Sequence, residues 1–191
     1  QHIHVEEGEA KSLLVNGVAE HFDGIIAAAD YHHVESKLLP KALRNYDEKY
    51  WDKKTFAPSC LIFYIGVKKR IDALQHHTLF FDESLDEHAV EIYKQPQWPA
   101  KPLFYVCCPS KSDNTVAPDG HENIFLLMPI APGLEDSEAM REKYFHIMME
   151  RLEKQVGETI RDVIDYKQSY CVADFITDYN SYKGNAYGLA N

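Results

Sequence analysis

Histidine and cysteine are the side chains of this sequence best suited to binding a metal or acting as a nucleophile. The ten histidines include two adjacent pairs, His32-His33 and His76-His77, and the four cysteines stand at positions 60, 107, 108 and 171. No H-x-x-x-H, H-E-x-x-H or C-x-x-C spacing occurs, and adjacent residues of a strand point to opposite faces. We therefore expect no metal site and interpret the cysteines as buried, reduced thiols, with a zinc or redox site as the alternative.

Signatures of nucleophilic catalysis and of phosphate binding are absent from the sequence. It contains no G-x-S-x-G, no G-x-G-x-x-G and no G-x-x-x-x-G-K. The apolar run 25–29 ends in Asp30 and otherwise resembles a strand of a nucleotide-binding sheet. We therefore assign no catalytic residue from these motifs.

Aromatic side chains are abundant, and most of the 12 tyrosines and 9 phenylalanines follow residue 58. They indicate either a packed aromatic core or the lining of a site for a long apolar ligand. The segment 179–189 places Gly184 and Gly188 among aromatic residues. Because glycine lets the backbone approach a flat group closely, this segment is a candidate cofactor contact, and a plain aromatic loop is the alternative.

Length and composition are those of a globular protein, with 191 residues, 45% of them hydrophobic and 26% charged. The formal net charge of −10 disfavours binding to nucleic acid or to an anionic bilayer through bulk charge. The longest apolar runs, 60–67 and 124–131, are too short to span a membrane. The chain begins at Gln1 rather than Met, and we interpret it as a piece of a longer polypeptide.

The hydrophobic pattern and the turn residues predict a series of strands and helices. Residues 1–30 are predicted to form short strands, with a hairpin turn at Asn16-Gly17 and a strand at 25–29 buried on both faces. Ser137 and Gly157 mark the ends of the clearest helix, whose methionines we expect in the core. The other predicted helices span 34–39, 47–53, 84–94 and 173–179, and the other strands span 60–67, 76–81, 103–108, 124–130 and 160–170. This order predicts an α+β fold, with a mixed or antiparallel sheet and helices on one face.

Several motifs, taken in order, resemble the bacterial phytoene desaturase (phytoene dehydrogenase) family. The apolar run leads into Ala28-Ala29-Asp30-Tyr31-His32-His33, which resembles the family's S-N-A-D-x-H-H element. A second stretch that resembles the family is Phe104-Tyr105-Val106-Cys107-Cys108-Pro109-Ser110-Lys111-Ser112-Asp113. Further matches, in the family's order, lie at 63–67, 74–81, 117–122, 127–130 and 179–189.

This resemblance implies an FAD-dependent oxidoreductase that desaturates phytoene or a related carotenoid by hydride transfer to flavin. The family's flavin amine-oxidase-like fold combines a Rossmann-like flavin domain with an inserted substrate domain. Residues 1–30 would then be β-rich strands of a partial flavin domain, and residues 31–191 a substrate-binding domain truncated at its return to the flavin. The family's glycine-rich fingerprint is missing here, so we expect the isolated chain to be inactive and not to retain FAD.

The resemblance also implies roles for individual residues. Those placed near the flavin are Gly184 and Gly188, and those placed at the junction of the domains, as substrate or interdomain contacts, are Asp30, Tyr31 and His32. A structural hinge at this junction is an equally good interpretation, and the catalytic residues stay unknown. Asn185 departs from the small residue expected beside the first glycine.

The implied partner is an apolar polyene, and the implied location is the cytoplasm, peripheral to the membrane that holds this substrate. No nucleic-acid partner is expected. The alternatives are another flavin-dependent isoprenoid enzyme, a saturase or isomerase, and a non-enzymatic module that binds a hydrophobic ligand or a protein. The sequence leaves open which carotenoid is used, how many desaturations occur, the terminal electron acceptor and the oligomeric state.

Overall fold

The computed structural model describes residues 2–190, which form two antiparallel sheets and several helices. The first sheet contains β1 (His2–Glu6), β2 (Glu9–Val15) and β3 (Val18–His21). The second contains β4 (Ser59–Val67), β5 (His77–Phe80), β6 (Phe104–Cys107), β7 (Glu122–Ile130) and β8 (Ile164–Tyr170). The helices are α1 (Tyr31–His33), α2 (Glu48–Asp52), α3 (Leu85–Tyr93), α4 (Glu138–Val156) and α5 (Val172–Tyr179). This architecture confirms the predicted α+β class. The two predicted domains begin and end at Gln1 and Asn191, which lie outside the described residues.

The first sheet is a three-stranded meander whose second turn follows from its residue types. Asn16 and Gly17 have φ values of 49° and 82°, as a two-residue loop between right-twisted strands requires. The predicted strand at 25–29 is wrong, because this segment joins neither sheet in residues 2–190 and Ile26 is 96% exposed. An apolar run becomes a strand only where neighbouring strands satisfy its backbone N–H and C=O groups.

The second sheet has the strand order β5-β6-β7-β4-β8, and its residues alternate between two faces. In β7 the side chains on one face are all buried, and they are Glu122, Ile124, Leu126, Met128 and Ile130. Those on the other face are partly exposed. We call this second face the open face; it carries Leu79, Tyr105, Cys107, Phe125, Leu127, Tyr64 and Tyr166.

Helix α4 covers the buried face of this sheet. It begins after Ser137, whose hydroxyl accepts a hydrogen bond from the Met140 amide at 3.3 Å, and it ends at Gly157, whose φ is 77°. Both ends agree with the prediction. The helix buries Tyr144, Phe145, Met148, Met149 and Leu152. The ring of Phe145 lies 5.1 Å from that of Phe63 in β4, so the helix and the sheet share one apolar core.

Short helical segments connect the elements. The predicted helix at 34–39 begins earlier than expected, since α1 continues directly into a π-helical turn over Val34–Leu38. Helix α3 is capped as predicted by Ser84, whose hydroxyl accepts a hydrogen bond from the Glu87 amide at 3.2 Å. The 3₁₀ turns are Lys41–Leu43, Pro109–Lys111, Arg161–Val163 and Tyr182–Gly184. Within residues 2–190, none of the helices has the length and apolar character that crossing a bilayer requires.

Candidate functional site

Asp30 joins the two segments that the sequence singles out. Its Oδ1 accepts a hydrogen bond from the His33 amide at 3.0 Å and so caps helix α1. Its Oδ2 accepts a second hydrogen bond, at 3.1 Å, from the side-chain amide of Asn185. One carboxylate therefore ties the start of the helical region to the glycine-containing segment near the end of the chain.

Asn185 is buried, with 2% of its surface exposed, and it organises the turn around it. Its Nδ2 also donates to the carbonyl of Tyr182 at 2.9 Å, and its Oδ1 accepts a hydrogen bond from the Gly188 amide. The sequence marked this residue only as a departure from the expected pattern. Its role depends on a contact with Asp30 that no local signal in the sequence indicates.

His32 and Tyr31 both pack edge-on against Trp51 but differ in their other contacts. The ring centroid of His32 lies 3.9 Å from that of Tyr182, and its Nε2 lies 3.4 Å from Oε2 of Glu48. The ring of Tyr31 packs edge-on against Trp51 at 5.3 Å. Partial burial raises the pKa of Tyr31, and a hydrogen bond with a neighbouring tyrosine adds to the shift. His32 thus contacts the 3₁₀ turn Tyr182–Gly184 through its ring.

The two glycines that were predicted to lie near a cofactor, Gly184 and Gly188, have different surroundings. Gly184 is buried with a φ of 67°, and an added Cβ would lie 2.5 Å from the carbonyl oxygen of Val172. Glycine is therefore required there for packing against α5. Gly188 has a φ of 90° and open space where a Cβ would be, and its carbonyl accepts a hydrogen bond from Ala57 at 2.9 Å.

A cavity of about 740 Å³ lies beside this junction. It is lined by residues 28–31, by Phe175, Asp178 and Tyr179 of α5, and by a C-terminal stretch that includes residues 185–188. Three of the five predicted site residues, Asp30, Tyr31 and Gly188, line this cavity, whereas His32 and Gly184 do not.

A second cavity, of about 630 Å³, lies on the open face of the sheet. Its walls are largely apolar and include Tyr64, Phe125, Val116 and Tyr166. The rings of Tyr64 and Phe125, which are direct cross-strand partners, lie 5.5 Å apart. Of the aromatic residues that follow residue 58, some therefore lie in the packed core and others line this exposed cavity.

Tyr179 lines the junction cavity and lies close enough to Tyr64, on the open face of the sheet, to act on it electrostatically. Burial raises the pKa of Tyr64, and the neighbouring phenol of Tyr179 adds to this shift.

The lining of the junction cavity combines a glycine with polar side chains. Gly188 leaves open space beside its Cα, and the hydroxyl of Ser181 and the phenol of Tyr187 also line the cavity. The side-chain amide of Asn185 is already hydrogen-bonded to Asp30, Tyr182 and Gly188. The glycine-rich loop at a helix N-terminus that commonly holds the phosphates of a dinucleotide is absent from this sequence. The cavity therefore has room for a planar group such as a flavin ring, but the sequence provides no such loop for its diphosphate.

Three of the four cysteines are buried in the sheet region. Burial raises the pKa of Cys60 and of Cys108 to about 11 and that of Cys171 to about 12, so these thiols stay protonated at neutral pH. Cys107 is only half-buried, on the open face. The expectation of buried thiols therefore holds for three cysteines and not for Cys107.

The adjacent histidines His76 and His77 do not diverge as expected. Their ring centroids lie 4.1 Å apart with the planes tilted by 31°. His76 precedes the first residue of β5, so the strict alternation of a strand does not apply to this pair.

Comparison with known proteins gives a consistent set of relatives. The chain is 44% identical to a carotenoid 3,4-desaturase from Haloarcula japonica, over 93% of this chain and 36% of that protein. It is 27% identical to a 4,4'-diapolycopen-4-al dehydrogenase from Metabacillus indicus, over 97% and 37%. It is 28% identical to a 4,4'-diapophytoene desaturase from Staphylococcus haemolyticus, over 94% and 38%. No protein-family model matches the chain.

The fold is similar to that of a solved oxidoreductase from Methanosarcina mazei. The TM-score is 0.54 at 17% identity, and the match covers 89% of this chain and 36% of that one. The chain spans about a third of the length of the curated relatives it matches. It is homologous to carotenoid desaturases over that third, which confirms the resemblance that its motifs indicate.

Proposed function

We propose that this chain is the substrate-facing part of an FAD-dependent carotenoid desaturase. The observation that carries the proposal is the open, aromatic face of the five-stranded sheet, with the junction cavity bordered by Gly188 as the candidate cofactor contact. Homology to carotenoid desaturases supports the polyene as the substrate class. The proposal assigns residues 1–30 to a flavin domain and residues 31–191 to a substrate domain.

The proposed reaction requires the chain mainly to orient the substrate and to exclude water. Desaturation removes a hydride and a proton from adjacent carbons of the apolar chain as the double bond forms; a bound flavin would accept the hydride, and the proton would be released to solvent. The protein must hold the polyene in one orientation and exclude water. Tyr64, Phe125 and Tyr166 provide an apolar surface for this purpose.

Individual residues take roles that fit their positions. Gly188 contacts the flavin edge, and Asp30 with Tyr31 forms the facing wall of the same cavity. Gly184 and His32 position this contact, since one packs on α5 and the other on Tyr182. The complete protein is cytoplasmic and attached peripherally to the membrane that holds its apolar substrate.

A pair of glycine substitutions tests the cofactor contact in the full-length protein. Gly188→Ala places a methyl group in the junction cavity, and we expect FAD affinity to fall on the order of tenfold, about 1.4 kcal/mol. Gly120→Ala is the matched control, because Gly120 also has positive φ, 75°, and open space around its Cα, but it lies away from this cavity. Fluorescence titration of the apoprotein with FAD measures both.

Two further measurements can contradict the proposal. A full-length protein that contains no flavin and takes none up on reconstitution would exclude the FAD-dependent enzyme and favour a non-enzymatic ligand-binding module. Product analysis after incubation with phytoene distinguishes desaturation from saturation or isomerisation. The isolated 191-residue chain is expected to produce no desaturated product. Turnover by this chain would contradict the assignment of flavin binding to other parts of the full-length protein.

A further inference from the structure

We propose that His76, His77 and Cys107 form a binding site for a transition-metal ion of the zinc class. One ring nitrogen of each histidine and the thiol sulfur all lie within 4.8 Å of one another. Tetrahedral zinc with two nitrogen ligands and one sulfur ligand holds these atoms about 3.3–3.6 Å apart. A side-chain adjustment of about 1 Å therefore completes three coordination positions.

The sheet itself brings the three ligands together. His77 of β5 and Cys107 of β6 are direct cross-strand partners, and the His76 carbonyl accepts a hydrogen bond from the Cys108 amide at 2.8 Å. The separation of 30 positions between histidine and cysteine explains why local spacing motifs do not reveal the site. All three side chains are exposed or half-buried, so an ion can reach them from solvent.

Neighbouring hydroxyl groups orient both imidazoles. The Oγ of Ser112 lies 2.5 Å from Nδ1 of His76, and the phenol oxygen of Tyr105 lies 2.5 Å from Nδ1 of His77. Each ring therefore keeps its Nε2 available, which is the usual arrangement when a histidine binds a metal. The Tyr105 phenol also lies near Cys107, so it stands beside two of the three ligands.

The donor set selects the kind of ion. A thiolate and two imidazoles suit zinc and neighbouring transition metals rather than magnesium or calcium, which prefer oxygen ligands. The sulfur binds as thiolate, so its proton passes to the buffer when the ion binds, and water fills the fourth position. Cys107 also lines the cavity of the open face, so the ion would lie at the rim of that surface and link β5 to β6.

Zinc and cobalt titrations of the 191-residue chain test the site. We expect zinc to compete with a chromophoric chelator and cobalt to give the absorption band of a thiolate-cobalt bond. Cys107→Ser and His77→Gln should each weaken zinc binding by at least about 100-fold, and Cys107→Ser should abolish the cobalt band. His121→Gln is the matched control, since His121 lines the same cavity but lies outside the cluster.

A further variant tests the orienting groups, and circular dichroism verifies that every variant is folded. Ser112→Ala should weaken zinc binding by about 10- to 100-fold while keeping the cobalt band. Equal zinc affinity of the unmodified chain and Cys107→Ser, or a cobalt complex without the thiolate band, would overturn the site. This outcome leaves the proposed desaturase function untouched, because the titrations involve neither flavin nor polyene.

Discussion

The two faces of the five-stranded sheet are both apolar, but they have different neighbours. On one face, Phe63 and Leu126 are completely buried beneath α4. On the other, Tyr64 is 42% exposed and Phe125 is partly exposed, although these residues are next to Phe63 and Leu126 in sequence. A solvated face of an antiparallel sheet is normally polar. Burial beneath α4 explains the apolar character of the covered face, and the proposed carotenoid surface would explain that of the open face.

The largest expected effect concerns the covered face. Phe63→Ala removes a fully buried ring that packs against Phe145, and we expect the free energy of unfolding to fall by about 3–5 kcal/mol. Urea denaturation of the isolated chain measures this loss. A cost below about 1 kcal/mol would mean that the two faces do not differ in their contribution to stability.

A second prediction concerns the charged end of the covered face. The buried carboxylate of Glu122 lies 2.6 Å from Nζ of Lys111 and 3.3 Å from Nη1 of Arg70, and it also accepts a hydrogen bond from Ser110. Glu122→Gln leaves the Lys111 ammonium, whose side chain is 16% exposed, without its counter-charge. We expect a loss of about 2–3 kcal/mol near neutral pH, measured by urea denaturation.

The pH dependence of the stability difference between the unmodified chain and Glu122→Gln is the control for this prediction. Burial acts to raise the pKa of Glu122, but the hydrogen bonds from Lys111 and Ser110 outweigh it and hold the pKa below its ordinary value of 4.5. The stabilisation is therefore present above pH 4.5 and is lost as the pH falls through the folded-state pKa. The difference in stability between the unmodified chain and Glu122→Gln should shrink in acid. A difference that stays constant down to full protonation would show that the ion pairs contribute nothing.

Local signals predicted the elements of the covered face well. Ser137 and Gly157 are residue types that start and stop helices by satisfying backbone groups or allowing positive φ, and both ends of α4 followed. The run 25–29 failed because its structure depends on neighbouring strands rather than on its own residues. The order of the motifs was sufficient to identify the homologous family.

The contacts that form the candidate site could not be predicted from local sequence patterns, because they join residues far apart in the chain. The hydrogen bond between Asp30 and Asn185 spans 155 positions, and the pairing of His77 with Cys107 depends on strand register. Register is set by which face of each strand is buried, and here both faces of the sheet are apolar. The pattern of hydrophobic residues therefore predicted the strands without showing which side chains meet.

The smallest expected change in stability is the sharpest test of the comparison. Phe125→Ala makes the same substitution as Phe63→Ala on the open face, where the ring is only partly buried. We expect it to lower the free energy of unfolding by under about 1 kcal/mol but to weaken carotenoid binding by roughly 5- to 10-fold, because a polyene loses one aromatic contact. Bound carotenoid is measured by absorbance after the folded chain is separated from detergent micelles containing lycopene.

Val18→Ala provides the control for this binding test, since Val18 is an exposed apolar residue of β3, outside the five-stranded sheet. Its substitution should leave carotenoid binding unchanged. If Phe125→Ala and Val18→Ala bind carotenoid equally well, the open face is not the polyene surface, and its aromatic residues must be covered by something else. If Phe125→Ala alone loses binding while its stability is kept, the apolar character of this face is explained by its ligand, because the fold does not depend on it.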